Sequence, residues 1–113
     1  MVKLYLSGGA SNADPSLSIG GAKSSVLAPQ KILRAITNTE FGSGVTLYRC
    51  VYVTSEEGID GVKIFIEYET PSENTTVSIG WGGPVGSTEP TIASETTDPG
   101  VSFASPRDAA SAV

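Results

Sequence analysis

The 113-residue sequence predicts an all-β protein: an antiparallel β-sandwich, immunoglobulin-like or jelly-roll-like, with extended terminal arms. Three observations predict it. Val45–Thr54, Val62–Glu69 and Thr75–Trp81 each alternate apolar and polar residues with period two, the repeat of a strand with one buried face. The separators Glu56–Gly61 (EEGIDG) and Pro71–Asn74 (PSEN) have hairpin length and turn residues, so the three segments read as an antiparallel meander. The composition agrees: 13 Gly and 7 Pro supply turns, and at 17% charged residues the polar surface must be built from Ser, Thr, Asn and Gly, since about 25% is usual.

The flanking elements follow in order. Val2, Leu4 and Leu6 alternate with Lys3, Tyr5 and Ser7 in a short first strand. Ser7–Ser16 is a loop, with Asp14-Pro15 opening a turn. Leu17 and Ile19 alternate with serines in a second short strand ahead of Gly20-Gly21. Ala22–Phe41 reads as irregular or extended, with Pro29 able to open one helical turn as far as Ile36, and Thr37–Gly44 reads as a loop. In the first meander strand Leu47, Val51 and Val53 share a face with Arg49, while Tyr48, Cys50 and Tyr52 share the other. Both faces are partly apolar, which places this strand centrally, covered on both sides. The strands near Val2 and Leu17, or a neighbouring subunit, would then supply the second layer. Beyond Trp81, Thr91–Ala93 and Val101–Ala104 are further strand candidates. The length fits one sandwich domain over 1–113, with a tail from about residue 104 that is flexible or bound to a partner.

Charge and cysteine content narrow the function. With 7 basic and 12 acidic residues the net charge is −5, and the basic residues are scattered, which argues against nucleic acid or an anionic membrane as a partner. The single Cys50 forbids an intrachain disulfide and favours folding in a reducing cytoplasm. The start has no signal-peptide pattern, and no apolar run approaches a membrane span.

No catalytic, cofactor or metal set emerges. The chain lacks histidine, which removes most general-base and triad arrangements and the common zinc sites. Cys50, mid-strand, reads as a packed thiol. Glu56, Glu57 and Asp60 read as a solvated hairpin turn rather than a calcium loop, and Asn12 and Asp14 as turn formers before metal ligands. Gly80, Gly82 and Gly83 read as a strand end rather than a ligand loop. Arg49, a charge inside a two-sided strand, needs a partner: Glu67 on the next strand, or a carboxylate of another subunit. Tyr48, Tyr52 and Trp81 read as packing aromatics before a sugar-binding platform.

Several segments carry a family resemblance: Lys3–Ala10 (KLYLSGGA), Asn12–Asp14 (NAD), Leu17–Gly21 (LSIGG), Tyr48–Val53 (YRCVYV) and Thr75–Gly80 (TTVSIG). In this order they resemble small tailed-bacteriophage virion proteins, over roughly Val2–Thr97. The opening and the YRC strand together are the more specific part. The resemblance implies a structural virion component, such as a capsid decoration (cement) protein that binds and stabilises the head shell, or a tail, neck or fibre part. It implies no catalysis and no cofactor. The major capsid protein or another virion protein is the implied partner, and a homo-oligomer in the virion the implied state. It also implies a longer C-terminal part with more strands, so the sandwich would close differently here or through a partner subunit. Expected contact residues lie on the arms and the first loop: Val2, Lys3, Leu4, Tyr5, Asn12, Asp14, Phe103 and Arg107, with Arg49 for an intersubunit pair. A carbohydrate-binding module using Trp81 and the tyrosines is the reading from another class.

Overall fold

A computed structural model of the chain describes residues 2–55, 76–83 and 86–105. The chain divides into two compact units, Met1–Glu57 with Gly83–Pro99, and Gly58–Gly82 with Gly100–Val113. The described residues form a mostly-β structure with little helix.

In the first unit, β1 (Val2–Leu6) pairs antiparallel with β2 (Val51–Ser55), in a register running from Leu6 opposite Val51 to Val2 opposite Ser55. The other edge of β1 is also used. Leu6 N–H donates to the Val26 carbonyl (3.0 Å), Ser24 N–H to that of Leu6 (2.8 Å) and Ala28 N–H to that of Leu4 (2.9 Å), around a bridge between Tyr5 and Leu27. The opening segment therefore pairs with β2 in a two-stranded sheet and is bonded along its other edge to residues 24–28, where the sequence had suggested a second layer. Residues paired across a ladder share a face. Tyr5 and Tyr52 thus lie on one side, and Leu4, Leu6, Val51 and Val53 on the other. Leu6 is the only fully buried apolar side chain among the described residues.

Three local expectations are corrected. The expected strand at Leu17 is a 3-10 turn, α1 in chain order, over Pro15–Leu17. Pro15 presets φ, and the Asp14 carboxylate accepts from Ser16 N–H (2.9 Å) and Oγ (2.7 Å), so turn chemistry outweighs a two-residue alternation; Leu17 is left 56% exposed. The helical turn falls not at Pro29–Ile36 but in the expected loop, as α2 (Asn38–Ser43). Its cause is a capping box: Thr37 Oγ1 accepts from Glu40 N–H, and the Glu40 carboxylate accepts from Thr37 N–H. Gly44, at φ 84°, ends it. The residues before β2 form no ladder: Tyr48 N–H donates to Glu95 and Cys50 N–H to Ser18, two different segments.

In the second unit, Ile79 and Ala104 bond each other reciprocally (2.8 and 2.9 Å), which pairs the two expected strands at one antiparallel bridge. Ser105 Oγ extends the contact by donating to the Val77 carbonyl (2.7 Å). Between Ile92 and Ile19, in the first unit, the expected strand at Thr91–Ala93 reduces to one backbone bond (3.1 Å). Val62–Glu69, both hairpin turns and the tail beyond Ser105 lie outside the described residues. Among those described, no helix is long and apolar enough to cross a membrane.

Candidate functional site

Two polar constructions dominate the first unit. The first is a knot of buried serines. Ser7, Ser18 and Ser24 have no solvent exposure. Ser7 Oγ (2.7 Å) and Ser18 Oγ (2.6 Å) both donate to the carbonyl of Cys50. Ser7 Oγ accepts from Gly20 N–H (3.1 Å), and Ser18 Oγ from Ser7 N–H (2.9 Å). Each hydroxyl has one proton, so with both directed at Cys50 the 3.2 Å approach of the two oxygens is a contact rather than a third bond. Ser24 Oγ donates to the Asn12 carbonyl (2.6 Å) and accepts from Val26 N–H (3.0 Å). No buried side-chain nitrogen or oxygen among the described residues lacks a partner, as buried polar groups require.

Glycine makes the knot possible. Gly8 has φ +96°, and a Cβ there would collide with the Leu17 carbonyl. Gly20 has φ +119°, and a Cβ there would collide with the Pro90 carbonyl. Only glycine combines that backbone conformation with such close approach. The Ser18→Ala variant would leave the buried Ser7 N–H without an acceptor. A loss of about 1–3 kcal/mol is expected from its urea midpoint, with Ser16→Ala, at an exposed turn, moving it less.

The second construction is a charge relay. Arg34 holds both Glu40 oxygens (2.7 and 2.6 Å) and reaches Glu95 Oε2 through Nε (2.9 Å). Glu95 Oε1 accepts from Arg49 (2.9 Å), whose side chain is 3% exposed. Arg49 also donates to the carbonyls of Ile32 and Tyr48 (both 2.9 Å). Among the described residues the carboxylate partner of Arg49 is Glu95, within the same chain; the expected Glu67 lies outside the described residues. The Arg34 guanidinium, helped by Thr37 N–H, pulls the Glu40 carboxyl down to about 2. Arg34 and then Arg49 lower Glu95.

The other sequence-selected residues fall as follows. Asn12 Nδ2 donates to the carbonyls of Ser7 (2.7 Å) and Asp14 (2.9 Å), and its Oδ1 accepts from Asp14 N–H (3.0 Å), so Asn12 and Asp14 act as turn formers. No metal-ligating cluster occurs among the described residues. Cys50 is half-buried and unpaired with another cysteine; burial pushes its thiol up, away from a nucleophilic thiolate. Tyr52 OH donates to the Gly21 carbonyl (2.6 Å) and accepts from Glu89 N–H (2.9 Å), and burial raises its pKa. It borders a cleft of about 320 Å³ with Lys23, Thr54 and Thr88, and the Lys23 ammonium sits 4.2 Å from the Tyr5 ring centre. Val2 and Leu4 are exposed, Lys3 and Tyr5 half-buried, and Phe103 and Trp81 (45%) exposed in the second unit; Arg107 lies outside the described residues.

Glu95 is the residue that sequence reasoning missed, and nothing in its Ser-Glu-Thr-Thr surroundings marks it. The Thr37-x-x-Glu40 spacing, by contrast, is a legible helix-start signal. Comparison of the chain with protein-family models, curated proteins and solved structures finds no match.

Proposed function

We infer that the chain is a structural protein of a bacteriophage virion, most simply a decoration protein that binds the head shell as an oligomer and does no catalysis. The supporting observation is the convergence of the segments that carry the resemblance. Ser7 of LYLSGG, Ser18 and Gly20 of LSIGG, and the Cys50 carbonyl of YRCVYV meet in one hydrogen-bonded knot, braced by Asn12 of NAD. Segments that meet in this way build a scaffold rather than a reaction centre. A scaffold stapled by hydroxyls and glycines also suits folding in a bacterial cytoplasm, before assembly into the virion. The β-sandwich remains the architecture we propose for the whole chain, with the major capsid protein or another virion protein as partner and neither nucleic acid nor membrane.

Gold-labelled antibody against this chain, applied to particles of the phage that encodes it, should decorate the head. Label on the tail, neck or fibres alone would move the protein there, and label on neither would overturn the virion reading. Trp81, exposed at 45%, favours a second reading, a carbohydrate-binding module. Glycan-array binding abolished by Trp81→Ala would establish it.

A further inference from the structure

Among the described residues, residues 31–44 are held to the rest of the first unit mainly by charge. Of the large apolar side chains in this stretch only Ile32 is half-buried; Leu33, Ile36 and Phe41 (65%) are exposed, and no residue of α2 is buried. A six-residue helix has little stability of its own. Among the described residues, what ties it down is Arg34, gripping Glu40 inside the stretch and Glu95 outside it, while Arg49 grips Glu95 and the Ile32 carbonyl.

We propose that residues 33–44 are an arm clasped by the Glu40–Arg34–Glu95–Arg49 relay, and that protonating its two carboxylates opens the arm locally while the β1–β2 ladder stays formed. Among the described groups, Glu95 faces Arg34 and Arg49, Glu40 faces Arg34 and the Thr37 backbone, and Arg49 also feels Asp14. Asp14 is itself lowered, first by its bonds from Ser16 and to a smaller extent by Arg49. Both relay carboxyls lie below their ordinary value of 4.5 in the folded chain. Their stabilisation is complete above that value and is lost as the pH falls toward about 2, the folded value of Glu40. Ile32, held by its own burial and by Arg49, is the hinge. Opening would carry Leu33, Ile36 and Phe41 away together as one mobile apolar surface.

Amide hydrogen exchange of the full chain, read by NMR and corrected for intrinsic rates, tests this. The reporters are Phe41 and Gly44, bonded to the carbonyls of Thr37 and Glu40, against Leu6 and Ser24, bonded across β1 and its neighbour. Phe41 and Gly44 should lose protection by about 10-fold or more as the pH falls from 4.5 toward 2, with Leu6 and Ser24 nearly unchanged, as separate local opening requires. Acid also weakens the capping box, so the decisive arm is Glu95→Gln at neutral pH, which leaves Thr37 and Glu40 intact. It should reproduce the loss at Phe41 and Gly44, and Arg34→Gln should do the same with the Arg49–Glu95 pair still present. Protection at Phe41 and Gly44 that survives in both variants, or a loss shared equally by all four amides in acid, would overturn the clasp.

Discussion

Gly20→Ala is expected to destabilise the protein by about 2–5 kcal/mol, seen as a large drop in the urea midpoint; positive φ costs a side-chain-bearing residue about 1–2 kcal/mol and a forced backbone shift about 1–3 more. The atoms in the way are the Pro90 carbonyl and Thr91 Cα, main-chain atoms that cannot rotate aside. Gly20 N–H also donates to Ser7 Oγ, so any shift that relieves the clash pulls on the serine knot. Gly9→Ala separates the two contributions. Its φ is +124° but a Cβ there meets nothing within 4 Å, so only the conformational cost of about 1–2 kcal/mol remains. Equal losses in the two variants would show that the approach of residues 90–91 to Gly20 is not as drawn.

Arg49→Met should cost about 3 kcal/mol, the lower end of the range for breaking a buried ion pair. The lower end applies because Glu95 is 27% exposed and keeps Arg34, so the stranded carboxylate is neither dry nor alone. What adds to the loss is backbone: the carbonyls of Ile32 and Tyr48 each lose their guanidinium donor. Arg34→Gln, on the exposed side of the relay, should shift the urea midpoint far less while still loosening residues 33–44. A midpoint for Arg49→Met close to wild type would mean that the arginine is solvated and its bonds are dispensable.

The period-two pattern made β1 and β2 legible as strands, although burial does not follow it: Val2 and Leu4 are exposed, Lys3 and Tyr5 half-buried, and all of β2 is half-buried. It could not show that they pair with each other, since a ladder between residues 2–6 and 51–55 leaves no mark on either segment alone. The misplaced strand at Leu17 has a clear physical reason: two alternating residues carry less information than an Asp-Pro turn whose carboxylate already has two donors. The helix at Asn38 was written in Thr37 and Glu40 and was obscured by the small polar residues around them. The serine knot was the least legible part. Serine is ordinarily a surface residue, and only the glycines beside Ser7 and Ser18 hint that those hydroxyls go inside. Glu95 depends on an arginine 46 positions away and another 61 away, a pairing that no local pattern records.

The knot also bears on how the chain reaches its fold. Ser7 and Ser18 satisfy themselves on a carbonyl 43 and 32 residues downstream. Until Cys50 has emerged and returned, both hydroxyls and the main chain around them must stay hydrated. The cost of closing so long a loop therefore falls before any of these bonds forms, which makes the search nonlocal and comparatively slow. During synthesis the N-terminal segment waits for β2, and the order in which the molecule assembles is set by its middle rather than by its beginning.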